Sequence, residues 1–384
     1  MKQADFFLGA LSPKGFNGYF SQLAQVPGMQ MFLLQSGPGC GKSTFMRRIA
    51  EAAPWDRVLI HCSSDPDSLD GVIFPAQKIA LVDATAPHIL NPKAPGASER
   101  VISLYHTLNN EVLQQNQAKV FALLRRYSCQ QDRAARCLAA AAALLTDRRR
   151  AAACCTDFDR VCALAGQLSR RYLPKLSAPG SEQIYLLSAV TPKGILPLRD
   201  SVRTLAGKQI VVLQDEYGAV SRLVLEKLRE EALRKGHRII SCPCPLSPEE
   251  KLDHLLLPDL GLAFVTDNSW HPMEFPGARR IRCRRFADRA LLAACRVRLG
   301  FDKRAARSLL EETSAAQRDA AQIHSELEAC YHPCVDFAEV EKVWQRTAAQ
   351  LGLCSESAKP GPPHCDTKEK PARAAFHLLP GPIL

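Results

Sequence analysis

Short, nearly continuous apolar runs alternate along the chain with longer stretches whose apolar residues recur at helical spacing. Met31-Phe32-Leu33-Leu34-Gln35, Arg57 to Cys62 and Lys78 to Asp83 are the runs of the first third. After the first run, Phe45, Met46, Ile49 and Ala53 form one buried face of a helix that Pro54 stops. Apolar strands interleaved with helices predict an α/β fold, a parallel sheet covered on both faces. Residues 98–172 carry almost no glycine or proline, which predicts two or three long helices.

The pattern is written twice. Phe7 to Phe16 lines up with Leu186 to Ile195, and Met31 to Gln35 with Ile210 to Gln214, at one constant spacing. Phe45, Met46, Ile49 and Ala53 fall on Val224, Leu225, Leu228 and Ala232. After a short insertion Leu69-Asp70 matches Leu252-Asp253, Ile79 to Val82 matches Leu262 to Val265, and Cys155 to Phe158 resembles Cys334 to Phe337. The expected organisation is therefore two tandem domains, 6–175 and 182–351, each with a helical subdomain and packed as a pseudo-dimer. Residues 176–181 have linker composition, and 352–384, rich in Pro, Lys and Gly, read as a disordered tail.

Of the 384 residues 46% are hydrophobic and 23% charged, enough for a real core. The formal net charge of +11 favours anionic partners. Fifteen scattered cysteines suit free thiols better than a disulfide framework, and no apolar run suggests a signal peptide or membrane span. A reduced, cytoplasmic protein is expected.

The first copy carries Ser36-Gly37-Pro38-Gly39-Cys40-Gly41-Lys42-Ser43-Thr44 between an apolar strand and an amphipathic helix. That is the setting of a phosphate-binding P-loop: glycines turn backbone N–H groups inward, and the helix N-terminus favours an anion. Lys42 is expected to reach the outer phosphates and Ser43 to hold Mg²⁺. Ser36 replaces the usual first glycine. In the second copy the same positions read Asp215-Glu216-Tyr217-Gly218-Ala219-Val220-Ser221-Arg222. Two carboxylates, one glycine and no lysine predict that fold was kept there and phosphate binding lost, the alternative being a different anion held by Arg222.

Asp83, ending an apolar strand, is the expected Walker B carboxylate and a second Mg²⁺ ligand. Thr266 replaces it in the second copy, and Ala84 stands where many hydrolases place a catalytic glutamate. Asp65, Asp67 and Asp70 are then the candidate bases, with Asp70 leaning to a structural role because Asp253 repeats it. His61 to Asp67 is either a ligand-contacting loop or a Ser/Asx-rich turn. His88, repeated as His271, is read as a packing residue, and Pro13-Lys14-Gly15, repeated as Pro192-Lys193-Gly194, as a turn. Cys242, Cys244, Cys154 and Cys155 lack zinc-ligand spacing. Arg148 to Arg150 and Arg279 to Arg285 are read as a solvated basic face, in preference to a nucleic-acid contact or an arginine finger.

Taken together, Gly37 to Thr44, His61 to Ile73, Val82 to His88 and Thr191 to Gly194 resemble a family of bacterial, mostly Firmicute, tandem P-loop ATP-binding proteins. The resemblance covers nearly the whole chain except the tail. In that family the second copy also carries a glycine-rich loop, so the loss here argues against any mechanism needing two working sites. The resemblance implies ATP with Mg²⁺ at the first loop, and we expect a slow ATPase whose second copy is regulatory or structural, with an unidentified protein as a possible partner. A small-molecule or nucleotide kinase and a non-hydrolysing switch or scaffold are the alternatives. No Asn-Lys-x-Asp guanine motif occurs.

Overall fold

The structure, a computed structural model, describes residues 1–86, 90–207 and 209–353. His88 and the expected tail beyond 353 lie outside the described residues. The first half runs β1 (Gln3–Phe6), β2 (Gly9–Ser12), β3 (Gly15–Gly18), β4 (Gln30–Gln35), α1 (Lys42–Ala52), β5 (Arg57–His61), β6 (Leu69–Phe74), β7 (Ile79–Asp83), β8 (Glu99–Ser103), α2 (Asn110–Gln115), α3 (Gln117–Cys154) and α4 (Phe158–Tyr172). The second half runs β9 (Ser181–Ile184), β10 (Ser188–Thr191), β11 (Gly194–Pro197), α5 (Arg199–Ala206), β12 (Gln209–Gln214), α6 (Ala219–Arg234), β13 (Arg238–Pro243), β14 (Leu252–Leu257), β15 (Leu262–Asp267), β16 (Arg279–Arg282), α7 (Arg289–Ala294), α8 (Arg296–Tyr331) and α9 (Phe337–Gln350).

Each half contributes one six-stranded sheet, ordered β1-β5-β6-β7-β4-β8 and β9-β13-β14-β15-β12-β16. The two orders are the same order repeated. Register repeats as well: Gln30 faces Ile79 in the first sheet, and Gln209 faces Leu262 in the second. Residues matched by sequence alone thus occupy matched positions.

The sheets are mixed, which corrects the expected parallel sheet. β6 runs antiparallel to both β5 and β7, as β14 does to β13 and β15. A tight connection through Pro75–Lys78, with Lys78 at φ +55°, returns the chain into β7 without a crossover helix. Residues 99–103 form the edge strand β8, where helix was expected; paired only with β4, this strand needs no long apolar run.

Alternation along β4 buries both of its faces. Met31 and Leu33 point into a core shared with Phe6, Tyr185, Leu187, Ile210 and Val212, so the inner faces of the two sheets pack on each other. Phe7 and Leu186, equivalent residues, exchange backbone hydrogen bonds of 2.9 and 2.8 Å, which marks the pseudo-twofold axis.

The outer faces are covered by exchange. Val161, Leu164 and Leu168 of α4 pack with β12 and α6 of the second half. Val340 and Val343 of α9 pack with Phe32, Leu34, Phe45 and Met46 of the first. Each such fully buried side chain contributes about 1.5–3 kcal/mol. The strongly amphipathic last helix of each half therefore finds its apolar partner on the other half's sheet. Between them α3 and α8 run antiparallel, joined by Ala134, Leu138, Ala306 and Leu310 and by the pairs Arg133–Glu312, Asp147–Arg298 and Arg126–Glu326 (3.2 Å). At about 1.5 Å per residue each spans roughly 55 Å. No helix among the described residues is long and apolar enough to cross a membrane.

Candidate functional site

The loop after β4 leads into α1, whose N-cap Gly41 adopts a left-handed conformation, φ +78°. Phe45, Met46 and Ile49 bury one face of α1, and the helix ends at Ala53, extended as the residue before a proline must be. Lys42 lies back along the loop, its Nζ donating to Gly37 O at 3.0 Å and, more weakly, to Ser36 O at 3.5 Å. The same ammonium stands 3.7 Å from Asp83 Oδ2 at the end of β7. Burial raises the Asp83 carboxyl above its ordinary range, against the opposing pull of Lys42 and Thr85.

Thr85 ties the two segments together. Its N–H donates to Asp83 Oδ1 at 2.8 Å and its hydroxyl to Ser36 O at 3.2 Å. Ser43 Oγ accepts the Leu69 N–H at 2.9 Å, which fixes the start of β6 against the start of α1. Lys42 thus stands beside Asp83, while the Ser43 hydroxyl is engaged by the start of β6.

The β5–β6 turn is a different environment. Asp65 accepts from Ser68 Oγ at 2.6 Å and holds the turn, while Asp67 Oδ2 faces Lys193 Nζ of the other half at 3.3 Å. Both carboxylates are exposed. His61 sits between Asp5 Oδ1 (3.0 Å) and Pro66 O (2.8 Å). Burial works to lower its pKa, but Asp5 and the carbonyl prevail and the net shift is upward. Asp70 is buried on β6 beside Cys62 and contributes to the field at Asp83. Lys14 and Lys193, at matched hairpin turns, reach Glu249 and Asp67 of the opposite halves.

Two neighbours of the loop were not visible in the sequence. A Cβ on Gly37 would stand 2.9 Å from the Tyr331 ring, and one on Gly39, at φ +68°, 3.1 Å from the Glu328 carbonyl oxygen. The C-terminal end of α8 therefore lies directly on the glycine-rich loop. Tyr127 of α3 approaches Ser64 and Cys62 from the same side of the molecule. Tyr127 falls in the stretch read as helical from its lack of glycine and proline, and Tyr331 in the helical part of the second copy, but neither reading says which loop those helices meet.

In the second loop, backbone N–H groups are taken up by the loop's own side chain. Gly218 keeps the left-handed conformation of Gly39, φ +74°, but α6 begins at Ala219, two positions earlier in the repeat than α1. Asp215, buried, accepts the Ser221 N–H at 2.7 Å and the Tyr217 N–H at 3.2 Å. Glu216 collects Lys303 Nζ (2.6 Å), Arg148 Nη2 (3.2 Å) and Ser269 Oγ (2.8 Å). Lys251 pairs with the buried Asp253, which also faces His271 Nε2 at 3.3 Å, and its stem lies 2.9 Å from where a Cβ on Gly218 would be. Arg149 is held by Glu250. Arg148 and Arg149 are therefore buried ion-pair partners of the second half, not part of a solvated basic face.

Among the described residues the cysteines are free thiols, and no group of three or more His, Cys, Asp or Glu is placed to hold a metal ion by itself. A hard cation at Ser43 and Asp83 would need oxygen atoms from a ligand to complete its shell.

Fold and site together define an α/β protein of two fused, duplicated six-stranded mixed sheets with two unlike loops at matching strand–helix junctions. No protein-family model matches the chain, and neither does any curated protein or solved structure.

Proposed function

We propose that the loop Ser36–Thr44 binds the triphosphate of a nucleotide, ATP by the family resemblance, and that the protein is a slow ATPase with one working site. The observation that carries the reading is the contrast between the two loops. In the second, the Asp215 carboxylate accepts the loop's N–H groups. At the first loop Ser36 stands in that place, and Lys42 is parked on backbone carbonyls that a phosphate would readily replace.

In this reading Ser36, Gly37, Pro38, Gly39, Cys40 and Gly41 shape the cradle and Lys42 neutralises the outer phosphates. Ser43 and Asp83, hard oxygen donors at the loop's mouth, fit Mg²⁺, which when bound supplies charge neutralisation of the phosphate oxygens. Thr85 holds Asp83 and the start of the loop in one arrangement. Turnover is slow because Ala84 offers no base and because Asp65 and Asp67 are engaged in holding their turn and the opposite half. A non-hydrolysing switch is the second reading, favoured by the seating of Tyr331 and Glu328 on the loop.

Equilibrium binding of ATP·Mg²⁺ and phosphate release, measured on the wild type, Lys42→Ala and Ser221→Ala, test the proposal. Lys42→Ala is expected to weaken binding at least tenfold and abolish release, with Ser221→Ala matching the wild type. Binding without release selects the switch. A wild type that binds no nucleotide ends both readings.

A further inference from the structure

The exchange of helices gives both ends of the molecule the same construction: an edge strand, the 3-10 turn after it, and the last helix of the other half lying alongside. At the second-half end these are β16, the turn Cys283–Phe286 and α4; at the first-half end they are β8, the turn Tyr105–Thr107 and α9. The two ends differ in charge. Residues 157–172 and 279–289 carry nine arginines against three aspartates, whereas the matched segments 100–110 and 336–351 carry three cations against three carboxylates. Fold being equal, the architecture does not require the difference.

Two aromatic side chains, one near each end of α4, gather four of the arginines into a strip. Arg160 and Arg285 stand over the Phe286 ring, at 5.6 and 4.8 Å from its centroid. At the other end of α4, Arg171 lies over Tyr172 (5.3 Å), and Arg279 donates to the Tyr172 hydroxyl at 3.3 Å. From Arg160 to Tyr172 is about 18 Å along the helix. Arg280 alone has an acidic partner, Asp267 at 3.8 Å; the other eight are exposed and make no ion pair among the described residues. Asp157 and Asp288 are spent on capping α4 and α7.

We propose that this strip is a docking surface for the phosphate backbone of a duplex nucleic acid. Its length spans about five base-pair steps of a duplex, at about 3.4 Å of helix axis each. Every cation in it is arginine, whose planar fork suits phosphate oxygens; three of them are oriented by aromatic rings and Arg279 by the Tyr172 hydroxyl. The exposed apolar residues beside the strip, Phe158 and Leu291, recur as Phe337 and Val112 at the neutral end, so they belong to the fold and do not mark a membrane-inserting face. The inference is independent of what the glycine-rich loop binds.

The test is anisotropy of a labelled 30-base-pair DNA duplex titrated with the full-length protein between 50 and 200 mM salt. The triple variant Arg160→Ser/Arg171→Ser/Arg285→Ser is expected to bind at least tenfold more weakly at 50 mM, with a log–log salt slope shallower by about 2–3. The control Arg100→Ser/Lys342→Ser/Arg346→Ser removes the same formal charge from the other end and is expected to stay within twofold of the wild type. Single reversals, Arg171→Glu and Arg285→Glu, give the same readout if the triple variant does not fold. No duplex binding at 50 mM salt, or equal weakening by both triple variants, overturns the proposal. So does strip-dependent binding to phosphatidylserine vesicles with no strip dependence for DNA.

Discussion

At the scale of single residues, glycines at the first loop answer to two masters. Gly37 and Gly39 suit a phosphate cradle, yet each is also demanded by the approach of α8. Gly37→Ala pushes a methyl into the Tyr331 ring, and overpacking of this kind costs about 1–3 kcal/mol. Urea denaturation is expected to show that loss, and Gly37→Ala/Tyr331→Ala is expected to recover part of it. Non-recovery would assign the strain to the loop itself. In the second loop Asp215→Ala removes the acceptor of two backbone N–H groups. A loss of about 1–2 kcal/mol is expected, in the range of helix-cap deletions, with Ser36→Ala at the matched position much milder.

Among the elements, β1 and β5 are tied by a titrating contact. Because the net shift of His61 is upward, its pairing with Asp5 contributes fully below the ordinary imidazole value of about 6.5 and is lost as pH rises through the folded value. Thermal melting of His61→Gln should therefore show a flatter dependence on pH above 6 than the wild type; parallel profiles would remove His61 from that role. The elements also show what a sequence makes legible. β4, α1, β5 and β7 were readable because each carries an unbroken apolar run or a helical stripe, and the repeat fixed their equivalents in the second half. β6 was not, because Asp70 and Gly71 interrupt its run and its burial depends on two antiparallel neighbours. β8, Glu99-Arg100-Val101-Ile102-Ser103, carries the composition of an edge and reads as helix. Of the candidate site, Lys42, Ser43 and Asp83 were legible from spacing. Tyr331, Tyr127 and Lys251 were not, since they arrive from elements distant in the chain.

The whole molecule is held together by exchange: an amphipathic stripe states that a helix must be buried, never against whose sheet. Neither half should stand alone, because α4 and α9 would each lose the surface they cover. Residues 1–178 and 179–353 produced separately are expected to aggregate or self-associate, and to form a 1:1 complex when co-expressed, as light scattering on a sizing column would show. Two stable monomeric halves would contradict the exchange. The self-capped second loop bears on binding as well. Asp215 is a ligand covalently tethered to its own receptor, present at an effective concentration no free anion can match. In the one-site reading proposed above, the second loop is thus permanently occupied by its own carboxylate, and nucleotide titration is expected to be hyperbolic and to end at one equivalent; two equivalents would contradict that reading.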